Sequence, residues 1–182
     1  MGEEPLWIFG YGSLMWNPGF PHSETAIARL QNYTRSFCMR SIHHRGTVAN
    51  PGLVLALDPL QGGYCDGLAL QVSSGAQVQT LEYLRERELI SSAYLEKTLE
   101  IQLTDGRTVR AVTYVIDTEH DQYCSGLSLQ EQADIIARST GGRGPNSEYL
   151  HSTSRQLANL GINDTDLEWL SDKVQKITPH NS

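Results

Sequence analysis

Cysteine is scarce in this chain: three among 182 residues, Cys38, Cys65 and Cys124, widely separated. An odd, scattered set without a C-x-x-C pair excludes a disulfide framework and a zinc ribbon, and reads as thiols in a reducing compartment. Long apolar runs are missing as well. No stretch approaches the roughly 20 apolar residues of a membrane-spanning helix. The acidic start, MGEEPLW, offers neither the positive region nor the apolar segment of a secretory leader, and Leu6 stands where a myristoylation signal wants Ser or Thr. Positive charge is in deficit, with 14 Lys and Arg against 21 Asp and Glu, a net charge of −7 and no basic run. Nucleic acid and anionic membrane both need a concentrated basic surface, so neither is expected as a partner. The expectation is a cytoplasmic protein, monomeric by default.

What is present is ordinary globular material, 39% hydrophobic and 19% charged, without repeats or low-complexity linkers. The length predicts one domain over residues 1–182. The first two thirds read as strands: LWIF near the start, residues 26–41, GLVLALD and DGLALQV joined as a pair across the turn-like residues 59–63, then two strands about Asp105-Gly106, a strong hairpin signal. Between them residues 77–89 change to helical period, with Val78, Leu81 and Leu84 as the apolar stripe. After Ser128 helices take over. Ser128 with Glu131 three residues on forms a capping box, Gly141-Gly142 provides a stop, and further helices open at Asn146 and Asp164. The fold class predicted is α+β, a mostly antiparallel, barrel-like sheet with surrounding helices.

The stretch FGYGSLMW follows the first strand. It is not a dinucleotide fingerprint, since Met15 replaces the third glycine. It is not a phosphate loop, since no lysine occurs before Lys97. It is not a nucleophile elbow either, because Tyr11 and Met15 flank Ser13 where glycines belong. What remains is an exposed turn whose free N–H groups and one hydroxyl can receive a small polar or anionic group.

Metal binding has little support. His43 and His44 are adjacent, so on an extended strand they point to opposite faces, and the other four histidines lack ligand spacing. The run YLRERELI carries Glu82, Glu86 and Glu88 with Arg85 and Arg87 at a helix end. Such runs are commonly solvated faces with local ion pairs. Glu88 differs by its place at the helix end, where a partly apolar cleft would raise its pKa and suit it to proton transfer. The loop GGRGPNSEYL, a helix stop followed by a new helix, can also carry Arg143 or Tyr149 to a ligand.

Taken together, Tyr11-Gly12-Ser13-Leu14 after a first strand, His44-Arg45-Gly46, Arg87-Glu88 at a helix end and NSEYL near the C-terminal helices resemble the ChaC-type γ-glutamylcyclotransferases that act on glutathione. The resemblance spans about residues 6–160. It implies a γ-glutamylcyclotransferase-like fold and a cofactor-free, metal-free reaction in which the γ-glutamyl amine attacks its own γ-carbonyl. By that match Glu88 is the general acid/base, with Glu86 as the alternative. Phe9, Gly10, Tyr11, Gly12, Ser13, Leu14, Arg45 and Tyr149 are the substrate-binding candidates, Arg45 either holding its loop or meeting a substrate carboxylate. Ser13 then hydrogen-bonds and is not acylated. The chain departs from some members in LISSAY, which intervenes between Glu88 and Tyr94. The rival readings are turnover of other γ-glutamyl amino acids or amines and a non-catalytic γ-glutamyl-binding module. A serine hydrolase stands last, because Ser13 has no identifiable histidine partner.

Overall fold

A computed structural model of the chain describes residues 4–89 and 93–177. It divides into two units, residues 1–36 with 56–120 and residues 37–55 with 121–182. The first unit is built on β1 (Trp7–Gly10), β2 (His22–Ser41), β3 (Gly52–Val72), β4 (Tyr94–Leu103) and β5 (Thr108–Ile116), closed into a barrel in the order β1-β3-β2-β4-β5. The far ends of β2 and β3 are counted in the second unit.

β1 runs antiparallel to β3, with Trp7 opposite Gln71 and Gly10 opposite Leu68. β4 and β5 form the expected hairpin, and Gly106 supplies the left-handed residue of its turn at φ +98°. β5 closes the barrel through parallel pairings, Trp7 with Ala111 and Leu57 with Val115. Its last six residues are all buried, the pattern of a strand covered on both faces. Ile8, Phe9, Leu57, Ala69, Leu70, Ile101 and Tyr114 are each 1% exposed or less, and each large side chain so buried contributes about 1.5–3 kcal/mol.

Two sequence expectations fail here. The predicted pair across residues 59–63 is a single strand, β3, 21 residues long. Its Gly62 lies at φ +81° and its N–H donates to the Asn32 side chain, itself on a left-handed residue of β2. The strand changes direction between Leu57, which pairs parallel with β5, and Leu68 to Gln71, which run antiparallel to β1. The helix α1 (Gln77–Glu88) also forms with its inner face rotated from expectation: Thr80 and Leu84 are buried while Val78 is 70% exposed. The inward row at i, i+4 spacing therefore runs Thr80, Leu84, Glu88.

The second unit holds α2 (Leu129–Arg138), α3 (Asn146–Asn159) and α4 (Thr165–Ile177), with the short pair β6 (Thr140–Gly141) and β7 (Gly144–Pro145) between α2 and α3. The three helices pack on one another through Ala133, Ile136, Leu150, Leu157, Leu167 and Val174, all 2% exposed or less. The Ser128–Glu131 capping box forms, and Asp164 accepts the Leu167 N–H at the start of α4. α2 stops at Arg138, short of the glycine pair, because Ser139 turns its hydroxyl onto the Ile135 carbonyl and Thr140–Gly141 pair with β7. Among the described residues no helix is long and apolar enough to cross a membrane.

Candidate active site

Within the first unit, β1 hands the chain to a turn at Tyr11-Gly12 and a short 3-10 helix, Ser13–Met15. The sequence predicts this turn to be exposed, yet Tyr11, Gly12, Leu14 and Met15 are buried. The Phe9 ring lies in the core, and its carbonyl accepts the Thr113 hydroxyl at 3.0 Å. The Tyr11 hydroxyl donates to the Tyr114 carbonyl at 2.6 Å. A Cβ on Gly67 of β3 would meet the Gly10 carbonyl and the Phe9 ring, so only glycine there admits this close approach. The first hydrogen bond of the 3-10 helix runs from the Met15 N–H to the Gly12 carbonyl. The N–H groups of Gly12, Ser13 and Leu14 thus stand ahead of the helix, where backbone donors lack helical acceptors.

Two arginines fasten this turn. Arg35 of β2 donates through Nε to the Tyr11 carbonyl at 2.8 Å and through its other arm to the Asp66 carbonyl. Arg87, near the end of α1, has a side chain only 6% exposed. It donates to the Asn17 carbonyl at 2.6 Å, the Pro18 carbonyl at 3.2 Å, the Tyr83 hydroxyl at 3.0 Å and the Ser13 hydroxyl at 2.9 Å. Its Nε lies 3.4 Å from the Glu88 carboxylate, whose side chain is 16% exposed. One guanidinium therefore joins the glycine turn to the carboxylate. Glu86 stands on the exposed side of α1, so burial separates the two candidate glutamates. The rim after Glu88 lies partly outside the described residues.

A second polar group is built around Tyr114, which feels the charge of Glu88. Glu96 accepts from both arms of Arg85 at 3.0 Å and from the Tyr114 hydroxyl at 2.9 Å. The hydrogen bonds from Arg85, then that from Tyr114, hold the Glu96 carboxyl below the usual carboxylate range against the opposing cost of burial. Burial first, and then the hydrogen bond to Glu96, push the Tyr114 phenol far above its ordinary value, with the charge of Glu88 adding to the shift. Tyr114 is accordingly a neutral hydroxyl donor at working pH.

Arg45 and Tyr149 belong to the second unit and are brought to one another there. Arg45, its side chain 7% exposed, donates to the Pro145 carbonyl at 3.0 Å, meets Glu148 at 3.3 Å and stands 5.7 Å from the Tyr149 ring centre. A Cβ on Gly46 would collide with the Gly52 nitrogen and the Ser41 carbonyl, which accounts for the glycine of His44-Arg45-Gly46. The Tyr149 hydroxyl accepts the Leu55 N–H at 3.1 Å. Asn146 does not cap α3, as the sequence leads one to expect. Its side-chain amide exchanges two 2.8 Å hydrogen bonds with the backbone of Leu53, standing in for a strand partner. Arg143 is exposed and its N–H donates to the His44 carbonyl.

The sequence reading did not single out Arg35, Glu96 or Tyr114. An arginine within the half-buried strand run NYTRSFC is the available signal for Arg35, since a cation in such a place needs carbonyl or carboxylate partners. Among the described residues no group of three or more His, Cys, Asp or Glu is placed to hold a metal ion.

A barrel whose first strand ends in a glycine turn, faced by a largely buried helix-end glutamate, defines a class, and comparison with known proteins agrees. The ChaC-like protein family matches residues 6–177, and the chain belongs to that family. It is 39% identical over 179 residues to the glutathione-specific gamma-glutamylcyclotransferase of Escherichia coli K12, covering 98% of this chain and 77% of that one. It is 31% identical over 180 residues to the human glutathione-specific gamma-glutamylcyclotransferase 1, covering 97% and 81%. The crystal structure of the yeast gamma-glutamyl cyclotransferase specific to glutathione superposes with a TM-score of 0.88 at 23% identity, covering 99% of this chain and all of that one, which establishes the shared fold.

Proposed function

We propose that this protein is a γ-glutamylcyclotransferase that cleaves glutathione into 5-oxoproline and cysteinylglycine. One observation carries the reading: a buried guanidinium holds the Gly12–Leu14 turn and the Glu88 carboxylate in one constellation. The names of the relatives support the choice of substrate.

The substrate carries both nucleophile and electrophile in one γ-glutamyl residue, so the protein needs no nucleophile of its own. Its work is to curl the chain into a near-attack shape, move protons and hold the developing oxyanion. In this proposal the N–H groups of Gly12, Ser13 and Leu14 receive the glutamyl end and the oxyanion. Glu88 accepts a proton from the substrate ammonium, freeing the amine to attack the γ-carbonyl. As the five-membered lactam closes and the amide C–N bond breaks, Glu88 returns that proton to the departing nitrogen of cysteinylglycine. It then takes the surplus proton of the ring nitrogen and passes it to the same amine, which leaves as an ammonium. Atoms and charge balance without a cofactor or metal. Phe9, Gly10 and Tyr11 shape the floor of the turn from below, Arg45 holds the second-unit loop, and Tyr149 supports it. A monomeric, cytoplasmic enzyme working as a single domain completes the proposal.

The test is incubation of the purified protein with millimolar glutathione, followed by mass spectrometry. Equal amounts of 5-oxoproline and cysteinylglycine are expected. Turnover of γ-glutamylalanine with glutathione untouched would move the substrate assignment. Inertness toward both would favour the binding module.

A further inference from the structure

Cys38 lies on β2 and Cys124 in the loop between β5 and α2, both in the second unit. The two segments meet at a single antiparallel bridge, Met39 with Tyr123. It is flanked by the Arg40 N–H donating to the Gln122 carbonyl and the Cys124 N–H donating to the Cys38 carbonyl, each at 2.7 Å. The Gln122 side chain adds a 2.8 Å bond to the Arg40 carbonyl. In this register Cys38 is directly opposite Cys124, one step along from the bridge, and opposed residues project to the same face. Residues paired in this way have Cα atoms roughly 5.5 Å apart, inside the range of about 4.4–6.8 Å that a disulfide spans. Both side chains are thiols.

We propose that Cys38 and Cys124 form a redox site that closes to a disulfide by exchange with a small-molecule disulfide and reopens with small-molecule thiols. The difference in exposure sets the order of events. Cys38 is 1% exposed and Cys124 is half-buried, on a loop that continues into exposed Ser125 and Gly126. The Cys124 thiolate attacks one sulfur of R–S–S–R and expels R–S⁻, giving a mixed disulfide. The Cys38 thiolate then attacks the Cys124 sulfur and expels the second R–S⁻. Two protein thiols are oxidised, one external disulfide is reduced to two thiols, and the two protein protons pass to the leaving thiolates. The closed bridge ties the loop ahead of α2 to the stretch of β2 whose Phe37 ring packs edge-on against Tyr149, with centres 6.1 Å apart, and whose Ser41 hydroxyl accepts the Arg45 N–H. The redox state of the pair is thereby imposed on the strand that anchors Arg45 and Tyr149.

The native protein, treated with hydroxyethyl disulfide and then alkylated, provides the test by intact mass and peptide mapping. This reagent has no γ-glutamyl group, so the result is independent of the proposed reaction. The expected product has lost two hydrogens, contains a Cys38–Cys124 cross-linked peptide and is restored by dithiothreitol. Cys38→Ser should stop at a mixed disulfide on Cys124, Cys124→Ser should give neither adduct nor cross-link at Cys38, and Cys65→Ser should behave as wild type. A persistent adduct on Cys124 in wild type, a cross-link formed only in urea, or an unreactive Cys124 would each overturn the proposal.

Discussion

The molecule contains two glycine-rich turns, each secured by a nearly buried arginine, and they are put to different use. In the first, Arg87 holds the turn through Ser13 and the Asn17 and Pro18 carbonyls while touching a carboxylate that is itself only 16% exposed. In the second, Arg45 holds the loop through the Pro145 carbonyl, and its carboxylate partner, Glu148, is 58% exposed. The backbone donors differ as well. Those of Gly12, Ser13 and Leu14 stand ahead of the first bond of their helix, whereas the Gly142 and Arg143 N–H groups already donate to the His43 and His44 carbonyls. The two turns thus differ in where their backbone donors point and in how far the carboxylate beside the arginine is shielded.

Substitutions at the two turns should separate these roles. The largest effect is expected from Glu88→Gln, which keeps the shape of the side chain and removes its proton transfer. Turnover of glutathione should fall by roughly 10²–10⁴-fold with the circular dichroism spectrum unchanged, while Glu86→Gln, on the exposed side of α1, should remain near wild type. Next comes Arg87→Lys, which keeps the charge but loses the fork that reaches several acceptors together. Misplacement of the turn against Glu88 should lower kcat/KM of the folded protein by about 10²-fold, and the acceptors left unmatched should lower the urea midpoint as well.

The second turn should answer in stability alone. Asn146 is fully buried, and Asn146→Ala leaves the Leu53 N–H and carbonyl without partners. The expected loss is about 2–4 kcal/mol in urea unfolding, with the activity of the folded fraction preserved. A comparable loss of activity per folded molecule would erase the distinction between the turns.

The smallest effect concerns the charges around Tyr114. Because Arg85 and Tyr114 depress the folded-state pKa of Glu96, its contribution to stability is present above its ordinary value of 4.5 and lost as pH falls through the folded value. Glu96→Gln should therefore be less stable than wild type by about 1 kcal/mol at pH 7, given the half-exposed Arg85 partner. The gap should close as the solution is acidified below pH 4.5 and toward full protonation of the wild-type carboxyl.

Much of this arrangement is legible in the residues. The hairpin at Asp105-Gly106, the capping box at Ser128 and the placing of Glu88 at the end of α1 follow from local chemistry, and local chemistry is what a sequence displays. The segment 59–63 shows the limit: proline and glycines mark a change of direction, but not that the chain stays in one continuous strand through it. Asn146 shows another, since an amide that caps a helix and one that imitates a strand are the same side chain. The bonds from Arg87 to Ser13, Asn17 and Pro18 cross about seventy residues, and nothing local announces them. The choice between Glu86 and Glu88 needed burial, which depends on how α1 is rotated, and its inner face is not the one that Val78 suggested.

The central claim is that the first turn, not the second, receives the glutamyl group. Amide hydrogen exchange on Glu88→Gln, measured with and without saturating glutathione, tests it most directly. The account predicts slowed exchange at Gly12, Ser13 and Leu14 and unchanged exchange at Gly142 and Arg143. Protection confined to the second turn, with Gly12 to Leu14 exchanging as in the unliganded protein, would contradict it.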